Sequence, residues 1–560
     1  MAKSKQIDDE LVSYPLKDFR GGYNSFTGSK TNLDDNEFPV GQNVELDDNG
    51  SVTKVMGTAR YGGEVASGKA VTGLGWLKNA THNKVIVSAG TAWYYDDGTT
   101  NAALTGVTFT NGLKTYFVQA LDRLYGVNAT DILAYTNNGT SITAATNGRA
   151  GISPVFFNQR IYLIDAATGR IWYSNPYAVD TATPGITASN LGDFATNLGG
   201  SPVKNAGFIE LFPGGGVEPT SLVIFGNTIK VQTKNHGVWE ISPSGSLAAD
   251  NSLVHTVTQK VMKANAPSPK GAAIVGADIW FYTGFGLTSY GEVAQYQSPR
   301  PTAKSARIRS EMSSVADALK PEVALYTYNE KVYIAYGTGT YNDRLVRYDT
   351  RLNAYSAPST GIAASCFMEY VDGNGVRRLF AGSSNPSDSY VYELETGTDY
   401  AGSAVNSYFE HKSVDMGRPG QIKYFAFCDV FFTLLYGQLS FVSYVDETTS
   451  ISGTQSIGSS SSLSVLGYSQ PMGTFVMGYD FLSQSTSLTT LATNGRFRID
   501  LEFTEGERIS TRFSNANLGE QYKIDKVIYY YQPAESIYQS GDTDVVTGTV
   551  ASGNSYDRYS

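Results

Sequence analysis

Positive charge is what this sequence has least of relative to negative. Its 560 residues carry 42 Lys and Arg against 52 Asp and Glu, a formal net charge of −10. Proteins that grip nucleic acid by neutralising phosphates are usually basic, so tight, static DNA binding is not expected. An acidic wall past which DNA slides is still compatible, because like charge prevents sticking. Charge of either sign is scarce at 17%, below the roughly 25% of an average domain. The surface is therefore expected to be carried by Ser, Thr, Asn and Tyr. Cysteine is nearly absent. Cys366 and Cys428 sit in the apolar strings SCFMEY and FAFCDVFF and read as buried thiols, with one bridge between distant segments as the alternative. Two cysteines exclude a disulfide scaffold.

The residues of common catalytic and cofactor sites are equally thin. The four histidines, His82, His236, His255 and His411, are scattered, and no His or Cys pair has zinc spacing. There is no Gly-x-x-x-x-Gly-Lys-Ser/Thr string and no Gly-x-Ser-x-Gly elbow. Gly284-Phe285-Gly286 lacks a third glycine and a following helix, so it reads as a hairpin turn. A carbohydrate-active enzyme on this scaffold would need two carboxylates at the right separation, and no pair stands out. The expectation is a protein that is not an enzyme, with no catalytic residues, cofactor or metal. Long apolar runs are missing too. The longest, residues 424–436, is broken by Asp429 and is too short to span a bilayer. The opening MAKSKQIDDELVSY has no apolar signal core. A chain made in the cytoplasm without a membrane-spanning segment is expected. The Asn-x-Thr sequences at Asn79, Asn128 and Asn138 then read as turn chemistry.

What is present in quantity is aromatic and turn chemistry: 38 Tyr, 26 Phe and 58 Gly. With abundant β-branched residues this is an all-β signature. A repeat organises it. A short β-rich run ends in a Gly, Asn or Asp turn and is answered by a second run ending in an aromatic. The copies are 84–95 (KVIVSAGTAWYY), 123–135, 160–173, 222–240, 278–290, 331–348 and 378–392. Each reads as a β-hairpin, and the spacing is about 40–50 residues, one propeller blade. A lone hairpin cannot bury its apolar face, whereas about seven stacked radially can. The fold class is all-β: an irregular β-propeller of about seven blades, with an N-terminal arm and hairpin and a C-terminal β-sandwich. The domains are 1–61 (arm and hairpin), 62–401 (propeller), 402–540 (sandwich of about 130 residues) and 541–560 (polar tail). Insertions are placed at 174–219 and 300–321.

Several local expectations follow. Asp48-Asn49-Gly50 between Val44, Leu46, Val52 and Val55 makes a tight hairpin turn. Residues 303–319 predict one helix, with Ile308, Met312, Val315 and Leu319 at helical spacing and Pro321 as its stop. Arg300, Lys304, Arg307 and Arg309 around its start form the densest basic patch. They are either a solvated helix face partnered by Glu311 and Asp317, or candidate contacts to a neighbouring subunit or to passing DNA. Asp34-Asp35-Asn36, Asp47-Asp48-Asn49 and Asp372-Gly373-Asn374 could hold calcium through oxygen ligands, or cap tight turns. The C-terminal pattern predicts strands at 421–435, 439–445, 497–503, 509–513 and 523–532. The Ser, Gly and Thr-rich 448–464 reads as a loop or linker.

The segment from Phe19 to Gly57 resembles a pattern of tailed-phage tail proteins: Phe19, Gly21, Gly22 and Asn24, then Leu33, Asp34, Asp35 and Glu37, then Gln42 and Asn43, then Asp48 and Gly50, with Gly57 closing. Its first spacing departs, since only Arg20 separates Phe19 from the glycine pair and Tyr23 fills the hydrophobic place. Arg170-Ile171-Trp172-Tyr173-Ser174-Asn175-Pro176 looks like a Tyr-Ser-x-Pro blade of the same group, and 223–241 like the following blade. Phe497 to Asp500 and Ile524 to Val527 are similar to its closing sandwich. The group is the tail nozzle, or tail tubular protein B-like, family of short-tailed phages, with related packaged-DNA stabilisation plugs. The resemblance implies a structural virion protein: a nozzle or hub subunit in a hexameric ring around the DNA channel. Its partners would be portal, adaptor and tail-fibre proteins, and double-stranded DNA would pass through it during genome retention and ejection. The chain is short for a full nozzle. The alternative is a receptor-binding or tail-fibre-type propeller that recognises host glycans through exposed aromatics, with Trp172 and Trp239 as the residues to test.

Overall fold

The structure, a computed structural model, describes residues 11–26, 30–180, 185–195, 206–247, 253–261, 264–291, 304–457 and 492–534. Arg300, residues 458–464 of the Ser-rich segment and the tail 541–560 lie outside the described residues.

Seven antiparallel sheets follow one another over residues 71–103, 116–144, 152–209, 219–261, 272–289, 324–360 and 364–394. These are the blades of a propeller, numbered 1 to 7 below. The first strand of each blade packs beside the first strand of the next. The order is Val71–Lys78, Tyr116–Ala120, Ile152–Phe157, Pro219–Phe225, Ala272–Val275, Ala324–Tyr328 and Ala364–Val371, which returns to Val71–Lys78. The repeat read from sequence is the hairpin made by the second and third strands, as in Asn83–Ala89 with Ala92–Asp96, or Lys331–Tyr336 with Arg344–Asp349. In blade 4 it also takes in the end of the first strand. Aromatic side chains join neighbouring blades: Trp93 meets Phe117 with centroids 4.9 Å apart, Trp280 meets Tyr348 at 4.7 Å, and Trp76 meets Tyr370 edge-on at 5.9 Å. Large flat side chains suit such wedges because they bury much area with few rotatable bonds. The Asn-x-Thr sites are turns, as expected. Asn79 Oδ1 accepts from the amides of Thr81 and His82, Asn128 Oδ1 from Thr130 and Asp131, and Asn138 Oδ1 from Thr140 and Ser141.

Blade 7 gets its fourth strand from far upstream. Thr58–Tyr61 pairs antiparallel with Val391–Leu394, so the propeller begins at residue 58 rather than 62. A ring built of one continuous run would leave an open edge where its ends meet, and a strand from the other end of the chain covers it.

Ten further strands, from the arm and the C-terminal region, form one sheet, nearly closed like a barrel. The N-terminal arm is part of it: Val12–Leu16 and Val52–Lys54 pair with Gln521–Pro533, Val40–Gln42 pairs with Ser407–Glu410, and Val44–Leu46 forms the expected hairpin with Val52–Lys54. The expected strands 421–435 and 439–445 are one 23-residue strand, Lys423–Val445. Up to Tyr436 it pairs with Gln521–Pro533 and Ala492–Gly506; from Gly437 it pairs with Thr448–Ile457 and then also Ile509–Asn515. The strand thus passes from one layer of the C-terminal region to the other, and the layers are halves of a continuous sheet. Residues 448–457, expected as loop, are strand, because the second half of Lys423–Val445 offers them a ladder. Polar Ser and Thr suit that outer position as well as they suit a linker.

The predicted helix 303–319 is not continuous. A 3-10 turn, Ala306–Ile308, leads into the five-residue helix Arg309–Ser313, and a second 3-10 segment, Asp317–Glu322, contains Pro321. The apolar set Ile308, Met312, Val315 and Leu319 is buried as its spacing required. Two local competitions break the helix. The Ser313 and Ser314 hydroxyls donate to the carbonyls of Ser310 and Glu311, and Ala316, in extended conformation, donates its amide to Gly337 of blade 6.

Candidate functional site

A polar network lies where the N-terminal arm crosses between propeller and barrel, and Asn24, Glu37 and Asn43 of the segment 19–57 take part in it. Phe19 and Phe38 are fully buried against Phe409 of the barrel, at 5.7 and 5.9 Å between centroids. Gly22 stands at φ +73°, and a Cβ there would lie 2.7 Å from the Tyr355 carbonyl. At Gly57 a Cβ would fall 2.0 Å from the carbonyl oxygen of Asp399. No larger residue fits either place.

Asn43, in left-handed conformation at φ 52°, ties three segments together. Its Nδ2 donates to the Asn406 carbonyl at 2.7 Å, and its Oδ1 accepts from the Thr360 amide and the Tyr400 hydroxyl, each at 2.9 Å. Glu37 is 4% exposed. Its Oε2 accepts from Asn24 at 2.8 Å, and its Oε1 faces Arg307 Nε at 3.2 Å. Glu311 accepts one bond on each oxygen, from Tyr23 at 2.9 Å and Tyr336 at 2.8 Å. Burial first, then the Glu311 carboxylate, pushes both phenols well above their ordinary range.

A buried ion cluster completes the seam. Lys331 Nζ stands 3.0 Å from Glu45 and 3.6 Å from Glu395, and Arg347 Nε is 2.8 Å from Glu395. Arg347 also donates to Ser359 at 2.7 Å. Burial works against the Glu395 carboxylate, but Arg347 and Lys331 outweigh it and hold Glu395 below the usual carboxylate range. Two acids and two bases balance, which is what a buried cluster requires.

The basic patch splits in this setting. Arg307 belongs to the seam: besides Glu37 it donates to the carbonyls of Gly21 at 3.1 Å and Asn353 at 2.9 Å. Lys304 lies 5.6 Å from the Trp280 ring centre, and its carbonyl accepts from Tyr355. Arg309 is exposed, 6.0 Å from the Phe26 ring. The structure therefore does not bring the three into one free cationic surface. Asp317 pairs with Lys320, and Glu311 with the two tyrosines rather than with the basic patch.

The Asp-rich strings serve turns and ion pairs. Asp47 Oδ1 accepts from the amides of Asn49 and Ser51, and Asp372 Oδ1 from Asn374 and Val376. Asp35 pairs with Lys412 and Asp48 with Arg351. Among the described residues no group of three or more His, Cys, Asp or Glu could hold a metal ion. Gly284 and Gly286 form the expected turn, with Thr283 donating to Gly286. Cys366 and Cys428 are free buried thiols in separate cores, one in the propeller and one in the barrel, so no bridge joins them. Trp172 and Trp239 are 6% and 7% exposed. Both are core residues, unavailable for stacking on a glycan. Among the described residues no helix is long and apolar enough to cross a membrane.

Sequence reasoning missed the polar interior of the propeller. Lys114, preceding blade 2, pairs with Glu322 at 2.5 Å. Lys270, preceding blade 5, donates to the Thr72 carbonyl at 3.1 Å. Isolated lysines before short strands carry no signal in sequence, and only ring closure brings them near one another.

No family model matches this sequence, and no curated protein matches it. Solved structures similar to it include the computationally designed Ika8 protein, with 9% identity over 60% of this chain and 99% of that one, and a TM-score of 0.31. YCF48 bound to the D1 peptide has 9% identity over 63% and 97%, with a TM-score of 0.35. The exo-beta-1,3-galactanase of Phanerochaete chrysosporium with galactose has 9% identity over 85% and 100%, with a TM-score of 0.24. Blade number and topology rest on the strand pairing described above.

Proposed function

We propose that this chain is a structural virion protein of a phage tail, a nozzle or hub subunit that forms a ring around the DNA channel and serves genome retention and ejection. The observation that supports this reading most is the seam. Two of the residues by which the chain resembles tail nozzle proteins, Asn43 and Glu37, tie the arm to the propeller through Tyr400 and Arg307, and the neighbouring cluster around Arg347 adds to the same crossing. A part that must transmit load without changing shape needs that kind of crossing, and it needs no reaction centre. The acidic balance suits a wall that DNA passes without sticking. Closure of a ring requires two different surfaces on each subunit that complement each other. Arg309 and Lys304 are candidate contacts to the neighbouring subunit, whereas Arg307 acts within its own chain. Portal, adaptor and tail-fibre proteins are the partners this role requires, and the virion is its location.

The test is direct imaging. Purified full-length chain, with and without a portal–adaptor complex, is examined by negative-stain electron microscopy and by mass measurement in solution. Six-fold rings, or incorporation at the tail end of a portal assembly, support the role. A protein that stays monomeric under every condition and does not bind the portal assembly would falsify it.

A further inference from the structure

The ring of innermost strands surrounds a solvent-open cavity of about 230 Å³, with Tyr116, Phe117, Lys270, Leu325, Tyr326 and Cys366 in its wall. Six blades, 1, 2, 3, 5, 6 and 7, contribute residues to it. Lys270 reaches Thr72 of blade 1 and lies 5.4 Å from the Tyr116 ring centre. Lys114 immediately precedes the lining residue Thr115, and its ammonium feels both Lys270 and Cys366 of the wall. Glu322 answers Lys114 at 2.5 Å. Glu322 is thus taken by Lys114, and among the described residues no carboxylate stands within ion-pair distance of Lys270, whose positive charge at the cavity wall is left unmatched. Drawing an unmatched charge partly out of water is costly, and Lys114 responds to its cationic neighbour. Burial first and Lys270 second pull its ammonium down to about 8, with Glu322 opposing them incompletely. Water takes roughly 30 Å³ per molecule, so the space admits a phosphate or a short carboxylate with a few waters, and nothing much larger.

We propose that this axial cavity binds one small oxyanion, a phosphate or carboxylate group, held between Lys270 and Lys114. The anion supplies the missing negative charge, and charge-assisted bonds to both ammonium groups hold it against the aromatic wall. The site is independent of ring assembly and of DNA.

Calorimetry on the full-length chain tests this with inorganic phosphate in one arm and succinate in the other, each against chloride at matched ionic strength. Saturable binding with one anion per chain is expected in at least one arm. Binding of phosphate only or succinate only assigns the source, and either supports the site. Lys270→Gln should weaken binding about tenfold or more, the scale of one charge-assisted hydrogen bond. Lys114→Gln should do the same. Should that variant fail to fold for want of a partner for Glu322, Cys366 gives a second readout in the unmodified chain. The bound anion should slow modification of this thiol by an uncharged maleimide, and the protection should be lost in Lys270→Gln. Absence of saturable binding in both arms overturns the proposal, as does binding or Cys366 protection that is unchanged in Lys270→Gln.

Discussion

The Tyr400 hydroxyl donates to Asn43 Oδ1 at 2.9 Å across 357 positions of sequence, and that one side-chain oxygen also receives the Thr360 amide. Asn43 thereby fixes the arm, blade 6 and the link into the barrel at a single point. Asn43→Ala removes these bonds, leaves buried partners unsatisfied and places a Cβ-bearing residue without a polar side chain at positive φ. A loss of about 2–4 kcal/mol is expected, measured by urea denaturation. A loss below about 0.5 kcal/mol would show the contact to be incidental.

Arg307 offers a second measurement, because its assigned role is intramolecular. Arg307→Ala strips Glu37 of its cation while Asn24 continues to donate to it. A cost of about 1–3 kcal/mol is expected. Arg309→Ala, on an exposed side chain, should lie within about 0.5 kcal/mol of the parent. Equal effects in the two variants would contradict the division of the basic patch drawn above.

Asp96 sets a pH dependence. It is 1% exposed, and burial, with a smaller push from Asp97, raises its carboxyl to about 7 against one bond from the Gly98 amide. The folded value lies above the unfolded value near 4. The folded protein therefore binds more protons than the unfolded chain between roughly pH 4 and 7, and this group's contribution to stability falls as pH rises through that window. Above pH 7 the cost is fully present. Asp96→Asn should melt higher than the parent at pH 8, by about 1–3 kcal/mol in stability, and the gap should close towards pH 4. A gap that does not vary with pH would exclude the ionised carboxylate as its cause.

Removal of residues 1–61 tests the arm as scaffold. The truncation deletes four strands of the barrel sheet and the closing strand of blade 7. The expected product is insoluble, or soluble with exposed apolar surface that binds a hydrophobic dye. Removal of residues 1–10 should leave the melting temperature within a few degrees of the parent. A truncated 62–560 chain that melts cooperatively at the parent temperature would show that the propeller closes without Thr58–Tyr61.

The legible part of this fold was local. The seven hairpins were readable because turn residues and alternating apolar residues lie within about fifteen positions of each other. The hairpin 44–55 and the Asn-x-Thr turns were readable for the same reason. What escaped were pairings between distant segments, such as Thr58–Tyr61 with Val391–Leu394, or Val12–Leu16 with Gln521–Pro533. A three- to five-residue strand carries no mark of its partner. Residues 303–319 misled because the apolar spacing reports which side chains are buried and says nothing of the amide of Ala316 bonding elsewhere. The aromatic stripes of the hairpins were legible as core, since blades pack through large flat side chains, and Tyr125, Tyr162, Tyr333 and Tyr336 are among the largest fully buried side chains. Of the seam, Glu37 and Asn43 were legible as parts of a pattern; that Arg307 and Tyr400 partner them was not, nor was the cluster of Lys331, Glu45, Glu395 and Arg347.

The arm also imposes an order on biogenesis. During synthesis the strands between Val12 and Lys54 leave the ribosome long before Ser407–Glu410 and Gln521–Pro533, to which they must add. Blades 1 to 6 can stack as they emerge, but the arm waits until almost the whole polypeptide is made. Its contacts are of high sequence separation, so they form late and slowly. A nascent chain stalled before about residue 530 would hold an assembled wheel with its axle pin still loose, and cellular chaperones would meet it in that state.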